Sequence, residues 1–263
     1  MISPLAVVSS KATIGKNVSI GPFTLVHDDV VIGDNTKIEN SVTIFDGARI
    51  GAGCHIFPGA VISAVPQDLK YTGEITFAEI GDNTIIREFV TVNKGTIAAG
   101  KTVLGKNNLL MAYTHVAHDC MIGNHCILAN GVTLAGHITI DDYAIIGGLC
   151  AVHQFVHIGS HVMISGGSLV RKDVPPYTSS AHEPLAYIGV NSVGLRRRGF
   201  TNEEIAEIQN IYRYIFVENH TVPKALEMVE AQCAAGPHRN HIVDFIRKAT
   251  RGIMKGYMPQ LDN

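Results

Sequence analysis

Three side chains that could exchange protons lie within five residues of one another. They are His115, His118 and Asp119. An imidazole has an ordinary pKa of about 6.5 and can therefore accept a proton near neutral pH, while a neighbouring carboxylate can orient the ring or stabilise its charged form. Since a single histidine is more often a solvated loop residue, the prediction of a general base at His118 depends on whether the fold gathers further polar groups around it.

Short strands are predicted to position these side chains. Val, Ile or Leu recurs every six residues from Val8 to Val170, a period that fits neither a helix nor a simple strand but is typical of a solenoid of strand-and-turn repeats. The residue two positions earlier is mostly small or apolar, as at Cys120, so both positions should face inward. Glycine often follows the periodic residue, which suits a corner with unusual torsions or close chain approach.

This pattern resembles that of the hexapeptide-repeat acyltransferases. The resemblance implies a mainly β fold, a left-handed parallel β-helix in which three hexapeptides form one triangular coil. Residues 8–170 would then form about nine coils. His137 follows His118 by one coil plus one residue, and His153 with Gln154 lies about one coil further on, so we expect a row of polar side chains along one edge.

The periodic pattern is interrupted at two places. Residues 63–79 have no apolar residue at the expected positions 68 and 74, which predicts a loop expelled from a corner. A shorter irregularity covers residues 95–103. Because loops on a rigid scaffold often carry function, the first is a candidate substrate-binding element.

After Val170 the sequence predicts a connector and then a helical domain. Prolines at 175, 176 and 184 mark the connector, and Thr201 with Glu204 forms a capping-box pattern that opens a helix. Further helices are predicted from about Pro223 and around Phe245. We therefore predict a β-helix over residues 1–190 and an α-helical domain over 191–263 that caps the solenoid, with residues 256–263 disordered.

Composition limits the possible classes of function. Net charge is −2 and charged residues make up 17% of the chain, so no general basic surface for nucleic acid is expected. No apolar run approaches the roughly 20 residues of a membrane span. Four of the five cysteines occupy inward repeat positions and should be buried free thiols. Because the repeats begin near the N-terminus, without a signal peptide before them, we expect a cytoplasmic protein.

A closer resemblance comes from motifs spread along the chain. The chain is similar to the UDP-N-acetylglucosamine 3-O-acyltransferases, which carry out the first step of lipid A synthesis. The motifs are QDLKY (67–71), NNLLMAYTHVAHDC (107–120), ILANGVTLAGH (127–137), AVHQF (151–155), DVPPY (173–177) and GVNSVGLRRRGF (189–200).

The resemblance implies that the substrates are UDP-N-acetylglucosamine and an acyl carrier protein with a (3R)-3-hydroxyacyl chain. His118 would be the general base, Asp119 its partner and Gly136 the oxyanion donor through its N–H, without a metal, a cofactor or a covalent intermediate. The positions implied to contact the sugar nucleotide or the reacting groups are Gln67, Asp68, Lys70, His115, His137 and Gln154, and those implied to hold the UDP part are Asn191, Arg197 and Arg198.

The family also implies a homotrimer with active sites between subunits and a groove that measures the acyl chain. A small residue at Gly166 would admit a long chain, whereas Met163 on the neighbouring strand could shorten the groove. Pro184 stands where a histidine often closes the groove, which favours a chain of at least fourteen carbons by resemblance. The chain length stays open, and Arg171-Lys172 is either a docking site for the acidic carrier or a solvated turn.

Four other functions compete with this one. A sister N-acyltransferase of the same pathway carries an extra uridine-binding domain before its repeats, and an acetyl-CoA-dependent acetyltransferase would not need the QDLKY loop. A zinc lyase like the γ-class carbonic anhydrases would need three convergent ligands. A purely structural solenoid would not need aligned histidines. The sequence also leaves open whether the sugar carries a 3-hydroxyl or a 3-amino group, and whether Asp119 assists the base.

Overall fold

A computed structural model of the chain describes residues 1–218 and 220–256. In this part the chain winds into three sheets, and the strands of the solenoid pair in parallel with the strands one coil earlier or later. For example, Val116 pairs with Leu134, and Leu134 pairs with Val152. The predicted solenoid is therefore confirmed. The predicted disorder of residues 256–263 lies outside the described residues except at Gly256, which belongs to a strand.

Each coil contributes one strand to each sheet. Sheet 1 contains β1 (Val7–Val8), β4 (Leu25–Val26), β7 (Thr43–Ile44), β10 (Val61–Ala64), β13 (Thr91–Asn93), β16 (His115–Val116), β19 (Thr133–Leu134), β22 (Ala151–Val152) and β25 (Leu169–Val170). Sheet 2 contains β2 (Thr13–Ile14), β5 (Val30–Ile32), β8 (Ala48–Ile50), β11 (Phe77–Ile80), β14 (Lys101–Leu104), β17 (Met121–Ile122), β20 (Thr139–Ile140) and β23 (His157–Ile158). Sheet 3 contains β3 (Ser19–Ile20), β6 (Lys37–Ile38), β9 (His55–Ile56), β12 (Ile85–Ile86), β15 (Leu109–Leu110), β18 (Ile127–Leu128), β21 (Ile145–Ile146), β24 (Met163–Ile164), β26 (Thr178–Ala181), β27 (Ala186–Val190) and β28 (Lys255–Gly256).

The six-residue period places the aliphatic residues in one continuous core. Periodic residues such as Ile44, Ile62 and Val116 are completely buried, and so are small residues two positions before others, such as Cys120. The four cysteines predicted to be buried are buried and free. Removing this apolar surface from water in every coil is the main stabilising contribution of the solenoid.

The glycines that follow the periodic residues are required by close approach and not by backbone torsion. A Cβ on Gly105 would lie 2.6 Å from the Gly123 carbonyl oxygen of the next coil, and the φ of Gly105 is not positive. The left-handed torsions fall two residues later, at Asn107 and at Asn17 among others. Asparagine tolerates this region better than most residues.

Turns between the sheets form three edges of the prism. The His118 edge joins sheet 1 to sheet 2, the Tyr143 edge joins sheet 2 to sheet 3, and the Gly166 edge joins sheet 3 to sheet 1. The expelled loop runs from β10 to β11 and the shorter irregularity from β13 to β14. Both loops therefore leave the solenoid at the His118 edge, two coils and one coil before His118.

The C-terminal part has a core of its own, but it also closes the last coil. Its helices are α1 (Ser192–Arg197), α2 (Asn202–Tyr212), a π-helical turn (Arg213–Val217), α3 (Val222–Gln232) and α4 (Pro237–Lys248). The predicted capping box is present, since Thr201 and Glu204 bond each other's backbone N–H groups. Leu185 and Met254 join the solenoid core, and β28 pairs with β27. The division between residues 190 and 191 stays a prediction.

The sequence did not predict two features of the C-terminal part, a strand pair and a short helix. The antiparallel pair β26–β27 occupies the stretch taken as a connector, and α1 begins where no helical period is visible. Within the described residues, no helix is both long and apolar enough to cross a bilayer.

Candidate active site

The His118 ring lies at its edge of the prism beside a buried carboxylate. Its Nδ1 is 2.8 Å from Asp119 Oδ2, so that the protonated Nδ1 donates to the carboxylate and Nε2 remains free to accept a proton. The His118 side chain is 13% exposed and that of Asp119 is 0% exposed. The predicted pair is therefore assembled by consecutive residues of one turn, with the base open to solvent and its partner enclosed.

Asp119 is held by three further hydrogen bonds. The backbone N–H of Thr96 donates to Oδ1 at 2.9 Å and the Thr96 hydroxyl donates to Oδ2 at 2.6 Å, while the Asp119 N–H donates to Thr102 Oγ1 at 2.9 Å. Burial alone would raise the pKa of Asp119, but the hydrogen bonds from Thr96 and His118 outweigh it and hold the pKa below its ordinary value. Asp119 is therefore charged at neutral pH and favours the Nδ1–H form of His118.

His137 lies next to the pair, one coil along. Its ring meets the His118 ring edge to face at 5.1 Å between centroids, and its Nε2 is 3.7 Å from Asp119 Oδ2. Beyond His137, His153 and Gln154 lie in the next turn of the same edge, but neither side chain continues the stack of rings. Phe155, not His153, stacks on His137 at 4.7 Å, and the exposed His153 ring contacts the carbonyl of Gln154, which is exposed as well.

Gly136 lies directly against the His118 imidazole. A Cβ placed on it would be 2.6 Å from His118 Cε1 and 2.7 Å from Nε2, so any side chain there would push the ring aside. The φ of Gly136 is not in the left-handed region, so contact with the ring alone excludes larger residues. The Gly136 backbone therefore borders the His118 ring.

His115 is placed on sheet 1, three residues before His118. Its Nδ1 is 2.7 Å from the Thr91 hydroxyl, and burial lowers the pKa of His115 below its ordinary value. A neutral imidazole fixed in this way can donate or accept a hydrogen bond at the sheet surface but carries little charge.

The expelled loop emerges at the His118 edge but leaves its polar side chains in solvent. Lys70 donates its backbone N–H to Asp68 within the loop, and Gln67 is exposed. Glu74 Oε1 accepts the N–H of Ile97 at 3.3 Å, which ties this loop to the segment that carries Thr96. In the described part of the chain, no hydrogen bond or ion pair joins the predicted loop residues to His118.

The residues predicted to hold the UDP part lie on a different edge. Asn191 caps α1 through Gly194 and donates to the His161 carbonyl, and Arg198 donates to the Tyr143 carbonyl and covers the Tyr143 ring at 5.3 Å. Arg197 is exposed on the last turn of α1. The structure therefore gathers Asn191 and Arg198 at the Tyr143 edge.

A stack of rings that the sequence reasoning missed supports this edge. His125, Tyr143, His161 and Tyr177 stack in series, with centroid distances of 4.7, 4.9 and 5.6 Å. Burial, followed by the charge of Arg198, lowers the pKa of His161 to about 4. The recurrence of aromatic residues at intervals close to one coil was the signal that could have revealed it.

The two residues implied to set chain length lie on sheet 3 and the edge beyond it. Met163 is in β24, and Gly166 is exposed in the turn that follows, where a Cβ would lie 3.0 Å from the Gly148 carbonyl oxygen. The predicted site residues thus lie on more than one edge of the prism.

The cluster on the His118 edge also has the composition of a metal site. His118, Asp119 and His137 each offer a ligand atom, and these atoms lie within 4.8 Å of one another. Both oxygens of Asp119 already accept hydrogen bonds from Thr96 or His118, so a metal ion would compete with those donors for the carboxylate. The geometry fits acid–base chemistry better than metal coordination.

Comparisons with known proteins identify the family of the chain. Residues 173–254 match the family described as "Udp N-acetylglucosamine O-acyltransferase; Domain 2", and residues 11–46 and 101–136 match the bacterial transferase hexapeptide family. The chain is 41% identical over 255 residues to the acyl-[acyl-carrier-protein]--UDP-N-acetylglucosamine O-acyltransferase of Thiobacillus denitrificans, with 97% of this chain and 99% of that protein covered.

Solved structures give the same result. A UDP-N-acetylglucosamine acyltransferase from Bacteroides fragilis superposes with a TM-score of 0.96 at 54% identity, covering 97% of this chain and 100% of that one. The corresponding enzyme from Francisella novicida gives a TM-score of 0.94 at 41% identity, covering 99% and 95%. The similarity therefore spans both the solenoid and the helical part.

Proposed function

This chain belongs to the UDP-N-acetylglucosamine O-acyltransferase family, and on that premise we propose that it transfers an acyl chain from acyl carrier protein to UDP-N-acetylglucosamine. In the finer proposal, the acceptor is the 3-hydroxyl of the glucosamine, the donor is a (3R)-3-hydroxyacyl thioester, and the reaction is the first step of lipid A synthesis in the cytoplasm. The observation that carries the proposal is the pairing of a solvent-accessible His118 with a fully enclosed Asp119.

The reaction proceeds by direct transfer. His118 Nε2 takes the proton of the sugar 3-hydroxyl while that oxygen attacks the thioester carbonyl carbon. The tetrahedral intermediate collapses, the C–S bond breaks, and the carrier thiolate leaves and receives the proton from the His118 imidazolium. Asp119 keeps the base in the productive tautomer and stabilises its cation, which is the role of an orienting carboxylate.

Gly136 supplies the electrostatic part of the mechanism. Its backbone borders His118 Cε1 and Nε2, so its N–H lies near the place where the thioester oxygen becomes negative. The hydrogen bond from a fixed donor at such a place becomes stronger as negative charge develops on the oxygen, and the donor does not have to reorient. His115 and His137 line the same edge, and we assign to them, together with Gln154 and the loop residues Gln67, Asp68 and Lys70, the binding of the sugar nucleotide.

We assign the active site to the cleft between two copies in a homotrimer. The base lies on the His118 edge, whereas Asn191, Arg197 and Arg198 lie at the Tyr143 edge or on the adjoining helix. Guanidinium groups suit a diphosphate. The expelled loop also carries bare apolar side chains, Leu69 at 105% and Ile75 at 85% exposure, which a neighbouring copy would cover.

Mixed oligomers test this assignment. His118→Ala and Arg198→Ala each remove one half of the composite site, so either variant alone should be nearly inactive. After denaturation and refolding together, some clefts would combine the intact His118 of one copy with the intact Arg198 of another, and activity should reappear. If the mixture stays as inactive as the separate variants, the two residues act within one chain and the assignment is wrong.

We further infer that Met163 and Gly166 line the end of the acyl groove. They lie on sheet 3 and its following turn, on the surface between the Tyr143 edge and the Gly166 edge. An acyl chain that starts at His118 of one copy and runs along sheet 3 of the next would pass both residues. The exposed Gly166 leaves space there, and this favours a long chain.

The decisive experiment is an acyl-transfer assay followed by mass spectrometry. Purified protein receives UDP-N-acetylglucosamine, or its 3-amino analogue, with (3R)-3-hydroxyacyl carrier proteins of different lengths, and acetyl-CoA serves as an alternative donor. We expect a UDP-3-O-acyl product that nearly disappears with His118→Ala. Product from acetyl-CoA only would establish the acetyltransferase alternative, and full activity of His118→Ala would overturn the proposed base.

A further inference from the structure

The segment between β13 and β14 contains a residue to which sequence and family resemblance give no role. Thr96 is 6% exposed and reaches Asp119 from the coil before it. Its hydroxyl donates to Oδ2 at 2.6 Å, the same oxygen that accepts the hydrogen bond from His118 Nδ1. Its backbone N–H donates to Oδ1 at 2.9 Å. The carboxylate is thus fixed at both oxygens by one residue.

The same segment is connected to the expelled loop. The Thr96 hydroxyl accepts the N–H of Ala98 at 3.2 Å, which fixes the direction in which its own hydrogen points. The next residue, Ile97, donates its N–H to Glu74 on the loop at 3.3 Å. Two consecutive residues, Thr96 and Ile97, therefore connect the carboxylate that orients the base with the loop proposed to bind substrate.

We propose that Thr96 is a positioning residue for the acyl transfer: its hydroxyl holds Asp119 in the orientation that keeps His118 aligned as the general base. This inference rests on the proposed function. Thr96 itself touches no substrate, because it lies behind Asp119, whose side chain is fully enclosed. Its role is to prevent the carboxylate from rotating away from His118 Nδ1.

The substitution Thr96→Val isolates the hydroxyl. Valine has nearly the same shape and keeps the backbone N–H to Oδ1, so the substitution removes only the hydroxyl's own hydrogen bonds, to Asp119 Oδ2 and from the Ala98 N–H. We expect kcat to fall about tenfold, less than the roughly hundredfold cost of misplacing a reacting group by 1 Å. The KM for UDP-N-acetylglucosamine should stay unchanged. Thr96→Ser restores the donor and should recover most of the wild-type kcat.

The pH profile gives a second readout. Without the Thr96 donor, the Asp119 carboxylate turns away from His118 Nδ1 and stabilises the imidazolium less, so the acidic limb of kcat/KM should move to lower pH. The other titratable groups near this carboxylate are His137, at 3.7 Å from Oδ2, and the buried Cys120 thiol, whose pKa is raised to about 12 by burial. Glu74 is connected only through Ile97. The substitution alters none of these groups.

The matched control is Thr102→Val. Thr102 is also buried, and its hydroxyl also bonds Asp119, but at the backbone N–H instead of the carboxylate. The Thr102→Val substitution should leave the acidic limb of the kcat/KM profile at its wild-type pH. An NMR titration of the His118 ring in each variant gives the same comparison without substrate, so the inference can be tested even if the assay yields no product.

The outcomes are distinct. An inactive wild-type protein would contradict the proposed function, while the NMR titration would still decide on Thr96. The inference is overturned if Thr96→Val keeps both kcat and the His118 titration of wild type. It is equally overturned if Thr96→Ser is as impaired as Thr96→Val, because packing would then explain the loss, or if Thr102→Val moves the limb by the same amount.

Discussion

Substituting Gly136 by alanine changes the position of the base without removing any functional group. Alanine keeps the backbone N–H proposed as oxyanion donor, and the φ of Gly136 allows a side chain. The added Cβ would lie 2.6 Å from His118 Cε1 and 2.7 Å from Nε2. Because carbon atoms in contact lie about 3.5 to 4.0 Å apart, the ring has to move by roughly 1 Å.

The size of the expected loss follows from that displacement. A movement of this size breaks the 2.8 Å contact between His118 Nδ1 and Asp119 Oδ2 and carries Nε2 away from the acceptor hydroxyl. A 1 Å misplacement costs about a hundredfold in rate. At about 1.36 kcal/mol per factor of ten, this corresponds to about 2.7 kcal/mol in the activation free energy. Protein stability should change little, since the ring can swing toward solvent.

Steady-state acyl transfer and thermal unfolding, measured on the same preparations, test this reasoning. The control is Gly236→Ala, since Gly236 at the start of α4 has a φ of −165° and its nearest atom would be 3.4 Å from the new Cβ. We expect the control to keep the wild-type kcat/KM. If Gly136→Ala also retains more than about a third of that value, His118 is not the base or does not act from this position.

Three further predictions follow from the site. The pKa of Asp119 is lowered in the folded protein, so its charge stabilises the fold above the ordinary pKa of 3.8, and this stabilisation is lost as the pH falls through the lowered pKa. Between pH 5 and pH 2.5, the free energy of unfolding measured in urea should therefore fall more for wild type than for Asp119→Asn. An equal fall in both proteins would contradict the assignment. Gly166→Met should shift the preferred donor toward shorter acyl chains in a competition assay, whereas an unchanged preference would remove Gly166 from the groove. Treatment with a chelator should leave acyl transfer intact, because the Asp119 carboxylate already accepts three hydrogen bonds from Thr96 and His118; loss of activity that zinc restores would favour metal chemistry at the cluster of His118, Asp119 and His137.

The sequence predicts the solenoid well because a short repeat of neighbouring residues is enough to define each strand and turn. One aliphatic residue per six determines which side faces the core, and a misplaced register would expose every strand at once. Where the chain departs from the six-residue period, its structure is harder to predict from the sequence. The pair β26–β27 and helix α1 are stabilised by contacts with distant residues, such as Asn191 with the His161 carbonyl, and no periodic signal shows such contacts.

The site could be predicted only in part, for the same reason. His118 and Asp119 are consecutive, so the sequence alone suggests their contact, and one coil of spacing leads to His137. Thr96 could not be found in this way, since it reaches Asp119 from an irregular segment where the count of residues per coil fails. The ring that stacks on His137 belongs to Phe155 and not to His153, because a shift by two residues moves a side chain to a different position in the turn.

The shape of the prism explains why the proposed site needs a second copy. Its edges are convex, and a groove of about 460 Å³ found on the chain lies over the outer face of sheet 2, lined by Val103, Met121 and His241 among others, without His118. A base on a convex edge cannot exclude water from a thioester or hold a diphosphate by itself. Stacking identical coils makes such edges unavoidable, and the proposed homotrimer turns them into clefts by placing the His118 edge of one copy opposite the Tyr143 edge and sheet 3 of the next.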